Sequence, residues 1–190
     1  MNFLRLRKSR LRDKILSYFF TNPSTRLYLR EMASILKEDP GNLSKELANL
    51  EKEGIFNFSF KGNQKHFYLN KQYPLYAELK SIIFKTVGVK GRLKDIIERA
   101  KGIQTAFIYG SYAAGKENTS SDIDLFVIGN PDEDSLIQEI ESAEKVLKRE
   151  INYSIYPLKE VKERAERGDS FIQNILKRPK IILKGTLDEI

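Results

Sequence analysis

The stretch GSYAAGKENTSSDIDLFVIG, from Gly110 to Gly129, decides the fold of the second half of this chain. It follows the apolar segment IQTAFIY and ends in IDLFVIG, and both segments have the composition of buried strands. Asp122 and Asp124 lie two residues apart at the start of the second strand, so both side chains leave the same face of a sheet. Adjacent carboxylates repel each other unless a cation lies between them, and such hard oxygen ligands suit Mg²⁺ or Mn²⁺.

The Gly-Ser pair at the head of the stretch predicts an anion site. Gly110 and Ser111 would open a helix whose first N–H groups and dipole attract an anion, and the serine hydroxyl adds a donor. Gly110 and Gly115 also let the backbone approach a ligand closely. A phosphate cradle beside a carboxylate pair is what metal-assisted nucleotidyl transfer requires.

The combined pattern G-S-x-A-x-G-x5-S-D-I-D-L, between two apolar strands, is far more specific than its parts. It resembles the signature of the polymerase-β-like nucleotidyltransferase superfamily, especially its minimal prokaryotic members, over residues 90–155. The resemblance implies that Gly110 and Ser111 bind phosphate, that Asp122 and Asp124 ligate a metal, and that Ser121 supports the turn before them. It also implies Mg²⁺ or Mn²⁺ as cofactor, with ATP or another nucleoside triphosphate.

The third carboxylate of that superfamily, commonly the general base, lies on a later strand, and here the chain departs from the pattern. The matching strand reads REINYSIYP, and the aligned position is Asn152, an amide that cannot act as a base. Glu150 would share its face of the strand, two residues earlier. The departure puts catalysis in doubt and leaves nucleotide binding in place.

The first 70 residues predict three helices and a hairpin. Helical spacing of apolar residues marks RLRDKILSYFF, REMASILKE and PGNLSKELANLEKEG, and the alternating segments IFNFSF and KHFYL flank KGNQ. This order resembles the winged helix-turn-helix of prokaryotic transcriptional regulators. The resemblance implies that the third helix enters the major groove of DNA and that the wing touches the backbone.

Carried over to this chain, the DNA contacts would come from the third helix and the wing. The helix offers Asn42, Ser44, Lys45 and Asn49, and the wing offers Lys61 and Lys65, with His66 as a solvated neighbour. Acidic residues at Glu38, Asp39, Glu46, Glu51 and Glu53 would repel phosphates, so dimerisation or protein contact stays an alternative use of this domain. Phe56, Phe58 and Phe60 could stack on bases, but at strand spacing we expect them in the core.

The remaining segments and the composition complete the expected architecture. We expect an α+β protein with a winged helix-turn-helix at 1–70, a connecting helix or linker at 71–89 that could serve a dimer, and a nucleotidyltransferase-type mixed sheet with flanking helices at 90–190. The net charge of +7 is concentrated in residues 1–70, with 13 basic and 7 acidic side chains. No cysteine and a single histidine exclude disulfides and Cys- or His-cluster metal sites. No signal peptide or membrane span is predicted, and we expect a cytoplasmic protein.

Two functions fit this sequence. In the first, the chain is a DNA-binding transcriptional regulator whose nucleotidyltransferase-like domain binds a nucleotide and has lost catalysis. In the second, it is an active metal-dependent nucleotidyltransferase that moves a nucleoside monophosphate from ATP to a hydroxyl acceptor, such as one on a protein partner in a toxin–antitoxin pair. The missing third carboxylate favours the first, and the intact Gly-Ser and Asp pair favours the second.

Overall fold

The computed structural model describes residues 9–116, 118 and 121–188. The chain divides into two compact units at the step from Val89 to Lys90. The combination of helices with an antiparallel and a mixed sheet confirms the expected α+β class. None of the described helices has the length and apolar character needed to span a bilayer.

The first unit contains the expected three helices and hairpin, and a fourth helix follows them. Its elements are α1 (Arg10–Thr21), β1 (Leu27–Tyr28), α2 (Leu29–Leu36), α3 (Pro40–Lys52), β2 (Phe56–Lys61), β3 (Gln64–Leu69) and α4 (Tyr76–Thr86). The strands form an antiparallel sheet in the order β1-β3-β2.

Caps and an apolar core account for these elements. Asp39 accepts a hydrogen bond from the Asn42 N–H at the start of α3, where Pro40 takes the first helical position. The leucine stripe of α3 is fully buried, and it packs with residues of α1, α2 and the hairpin. In α4, Leu79 and Ile83 join the same core, so the segment expected to connect the domains contributes to the first unit.

Two expectations about the hairpin were wrong. Phe56 is 1% exposed, but Phe58 and Phe60 are 39% and 68% exposed, because the hairpin extends past the helices that cover its base. His66 is half-buried rather than solvated, since β1 pairs beside it and places the Tyr28 ring 5.6 Å from the imidazole.

The second unit is a four-stranded sheet between helices. Its elements are α5 (Val89–Arg99), β4 (Ile103–Tyr109), α6 (Gly110–Ala113), β5 (Ile123–Gly129), α7 (Glu133–Leu147), β6 (Ile151–Tyr156), α8 (Leu158–Glu166), α9 (Ser170–Lys177) and β7 (Ile181–Lys184). The strand order is β6-β5-β4-β7; β5 and β6 run parallel, and β4 is antiparallel to both of its neighbours.

Both faces of this sheet are covered along most of its length. On one face, Phe107 and Phe126 pack with Val161 of α8 and Ile172 of α9. Residues that alternate with them, such as Leu125, are also buried. The apolar packing on the sheet ends at the start of β5, where polar side chains lie.

Candidate active site

Three adjacent strands bring the predicted nucleotide residues to one face of the second sheet. Tyr109, the last residue of β4, pairs with Asp124, and Asp124 in turn pairs with Asn152 of β6. Directly paired residues share a face, so the Gly-Ser turn after Tyr109 opens beside Asp124 and Asn152. The register therefore places Asn152 next to Asp124.

The turn at Gly110 depends on the absence of a side chain. Gly110 has a φ of +70°, in the left-handed region that favours glycine. A Cβ built there would lie 2.0 Å from the Asp124 Oδ2 atom. The Gly110 backbone thus packs directly on the carboxylate, and α6 begins at this point with Ser111 as its second residue.

The two carboxylates differ in their surroundings. Asp122 is exposed, whereas Asp124 is half-buried. Burial raises the pKa of Asp124 above the usual range, the charge of Asp122 raises it further, and a hydrogen bond from Asn152 opposes both effects. Asn152 also donates from Nδ2 to Asp122 Oδ2 at 3.4 Å, so one amide serves both carboxylates.

This donor set suits a hard divalent cation. The two carboxylates are oxygen ligands of the kind that Mg²⁺ and Mn²⁺ prefer. Across the described residues, no His, Asp and Glu side chains form a ligand group of three or more. The backbone carbonyl of Glu150 accepts a hydrogen bond from the Ile123 N–H at 2.9 Å, and the side chain of Glu150 is exposed. A bound ion would therefore rely on Asp122 and Asp124.

Ser121 and a residue that the sequence reading missed hold the segment before the carboxylates. The Ser121 hydroxyl accepts from the Asn118 N–H at 2.9 Å, and the Ser121 N–H donates to the Asn118 carbonyl at 3.3 Å. Arg149 is buried and donates from Nη1 to the Ser121 carbonyl at 3.2 Å. Its place two residues before β6 could have drawn attention to it, but nothing in the sequence indicates its partner.

Tyr109 and Ser154 also flank Asp124 and were not anticipated. Burial raises the pKa of the Tyr109 hydroxyl, and the nearby charge of Asp124 raises it further, while a hydrogen bond with Ser154 opposes this. Tyr109 precedes the Gly-Ser pair, and Ser154 follows Asn152 by two residues on the same strand face. Strand alternation was the signal that could have found both.

Comparison with known proteins assigns the family of this unit. Residues 91–186 match the model of the family described as polymerase beta, nucleotidyltransferase. The chain belongs to this nucleotidyltransferase family. No curated protein is significantly similar to the chain over its sequence.

Two solved structures are similar to part of the nucleotidyltransferase chain. One is described as a toxin–antitoxin with AMP-PNP, with 16% identity, a TM-score of 0.38, and coverage of 53% of this chain and 76% of the other. The second is a mutant of the toxin–antitoxin MntA-HpeT, with 13% identity, a TM-score of 0.39, and coverage of 53% and 77%. The family assignment does not rest on these two similarities.

In the first unit, most of the predicted DNA contacts lie on exposed surface. Asn42, Ser44, Lys45 and Asn49 of α3 and Lys61 at the end of β2 are all exposed. Lys65 is different, because its ammonium pairs with Glu51 at 2.6 Å and lies 3.8 Å from the centre of the Phe58 ring.

The acidic residues near α3, which the sequence reading counted against DNA binding, are engaged by basic partners. Arg12 of α1 pairs with Glu46 at 2.9 Å and also with Glu53. Lys14 pairs with Glu38, and Lys65 pairs with Glu51. Asp39 caps α3. These partners come from other elements of the fold, so the sequence alone could not show that the charges are compensated.

Proposed function

We propose that the second unit binds a nucleoside triphosphate together with Mg²⁺ or Mn²⁺ and transfers the nucleoside monophosphate to a hydroxyl acceptor. One observation carries this proposal: Asp122 and Asp124 meet beside the Gly110 turn, with the pKa of Asp124 raised by burial and by the charge of Asp122. Such a pair is unfavourable by itself and is stabilised by a cation that a triphosphate also binds.

In the proposed reaction, each part of the site has a separate task. Asp122 and Asp124 hold the cation, which neutralises charge on the phosphates when it is bound. The backbone and hydroxyl of Ser111, with the Gly110 backbone, bind phosphate oxygens. The acceptor oxygen forms a bond to the α-phosphorus, the bond from that phosphorus to the bridging oxygen breaks, and pyrophosphate leaves.

Asn152 limits this reaction because the acceptor hydroxyl must lose a proton. An amide cannot accept it, and its Nδ2 already donates to Asp122. The proton must therefore pass to water or to a phosphate oxygen. Since a positioned general base contributes about 10²- to 10⁴-fold in rate, we expect slow transfer on a competent nucleotide site.

The test is calorimetric titration of a non-hydrolysable ATP analogue with Mg²⁺, followed by label transfer from ATP. The native chain should bind the analogue only with the metal, and Asp124→Asn should abolish binding. Asp134→Asn, a matched change at an exposed residue in the first turn of α7, should leave binding intact. Binding by the native chain that survives Asp124→Asn, or no binding at all, would overturn the proposal.

A second function, DNA binding by the first unit as a winged helix-turn-helix, is favoured by the charge pattern around α3. Asn42, Lys45, Asn49 and Lys52 recur at helical spacing opposite the leucine stripe, and the neighbouring glutamates are paired. In this case the protein is a regulator, and the nucleotidyltransferase unit senses a nucleotide.

Duplex binding that weakens steeply with salt supports this function, because phosphate contacts release counterions. Lys45→Ala should weaken binding and lower the salt slope by about one. Lys85→Ala, at an exposed position in the last turn of α4, is the matched control. Binding that is absent, or insensitive to salt, would contradict a DNA-binding role.

A further inference from the structure

The hairpin of the first unit has an aromatic surface that neither proposed function uses. Phe58 and Phe60 lie on the same face of β2 as the buried Phe56, where the hairpin extends past the core. Their rings meet edge to face, with centroids 5.7 Å apart. Phe60, at 68% exposure, is the most open large apolar side chain among the described residues. A contiguous exposed aromatic pair is a candidate interaction site.

Lysines lie on the hairpin itself and on α3, which packs against β2. The Lys65 ammonium lies 3.8 Å from the Phe58 ring centre and pairs with Glu51, which links the aromatic surface to α3. Lys45 and Lys52 on α3 and Lys61 on β2 have no acidic partner within the described part of the chain. Among the described residues, α3 and the hairpin therefore offer lysines without an acidic partner and an open aromatic ring.

These features fit an unpaired nucleobase better than another protein surface. Proteins that bind single strands combine basic side chains along the backbone with aromatic rings on which bases stack. A second copy of the chain would bring the same uncompensated lysines to the contact. DNA is favoured over RNA because an α-helix fits the major groove of B-DNA, whereas the major groove of A-form RNA is too narrow to be read.

We propose that the first unit recognises DNA at a junction between duplex and single strand, with α3 on the duplex and Phe60, supported by Phe58, stacked on an unpaired base. The inference rests on the proposed DNA binding by α3 and adds the type of DNA to it. Phe60 supplies the stacking face, and Lys61 and Lys52 supply charge for the adjoining phosphates. Lys65 of β3, which pairs with Glu51 of α3, lies over the Phe58 ring and holds it in place.

The test measures fluorescence anisotropy of the full chain with three labelled DNAs: a blunt duplex, the same duplex with a twelve-thymidine overhang, and the overhang alone. The native chain should bind the junction about tenfold or more tightly than the blunt duplex, the range that base–aromatic stacking gives. Phe60→Ala should remove that difference without changing the affinity for blunt duplex, and Phe60→Trp should restore it. Tyr153→Ala, at a ring of the second unit that is 40% exposed, should leave all three affinities unchanged.

Each contrary outcome has its own meaning. Equal affinity for junction and blunt duplex in the native chain overturns the inference and leaves DNA binding by α3 standing. An advantage for the junction that survives Phe60→Ala also overturns it. Absence of binding to any of the three DNAs removes the inference together with the DNA-binding proposal. A change from dimer to monomer in Phe58→Ala/Phe60→Ala during sedimentation would assign the surface to a second copy and overturn it as well.

Discussion

Replacement of Gly110 by alanine should separate the stability of the fold from the function of the proposed metal site. The backbone strain has a matched control in Gly168, which has a φ of +72° against +70° for Gly110. A Cβ at Gly168 would meet no atom within 4 Å, whereas one at Gly110 would lie 2.0 Å from Asp124 Oδ2 and 3.0 Å from its Cγ. Only the Gly110 change displaces a carboxylate.

The expected magnitudes follow from these two contributions. A left-handed conformation costs a residue with a Cβ about 1–2 kcal/mol, so both variants should lose about that free energy of unfolding. At Gly110 the Asp124 carboxylate must also leave its rotamer, which adds about 0.5–1.5 kcal/mol. The functional loss is larger, because even changes to the outer partners of a metal ligand weaken metal affinity about 10- to 100-fold.

Urea unfolding and calorimetric titration with Mg²⁺ and a non-hydrolysable ATP analogue measure the two effects separately. We expect Gly168→Ala to bind like the native chain and Gly110→Ala to bind more than about tenfold more weakly. Equal affinity in the two variants would show that the position of the Asp124 carboxylate does not matter for binding. The assignment of Asp124 as a metal ligand would then be refuted.

Three further predictions concern charge in the two units. Because the pKa of Asp124 is raised in the folded state, its ionised form destabilises the fold. Asp124→Asn should therefore unfold at higher urea than the native chain at pH 7 in EDTA, with a gain that shrinks as the pH falls and is lost below about 3, where the carboxyl is protonated in both states; a gain independent of pH would contradict this. Asn152→Asp should raise label transfer from ATP by about 10²-fold or more, since it supplies the missing base, and an unchanged rate would exclude that role for the position. Glu46→Gln should strengthen duplex binding less than twofold in DNA titrations, because Arg12 already compensates this charge; a large gain would show that the ion pair does not form.

Strand alternation made much of the second unit predictable. The two apolar segments became β4 and β5, and the spacing of Asp122 and Asp124 placed both on the polar end of one face. Asn152 was matched to this region through the family resemblance, and the strand register pairs it with Asp124. Whether Asn152 takes the place of the third carboxylate in function stays a prediction.

The features that sequence analysis missed depend on tertiary contacts between segments far apart in the sequence. Arg12 lies more than thirty positions before Glu46 in the sequence, so no local pattern reveals that they pair. Phe58 and Phe60 have the same alternation as Phe56, and their exposure depends on where the helices end beneath the hairpin. Sequence spacing gives the face of a strand, and it does not give the length of strand that is covered.

Two energetically unfavourable features, the half-buried Asp124 carboxylate and the left-handed Gly110, are in contact at the start of β5. Their contact is a physical argument that a ligand binds there. Asp124 occupies the face that Phe126 continues as core, so an apolar side chain at this position would extend the packing. The chain has instead a carboxylate that burial and Asp122 disfavour, beside a left-handed Gly110 whose lack of a side chain leaves room for that carboxylate. Local departures from stable packing concentrate at functional sites. A divalent cation would relieve the repulsion between Asp122 and Asp124, and the same arrangement would then favour the folded state.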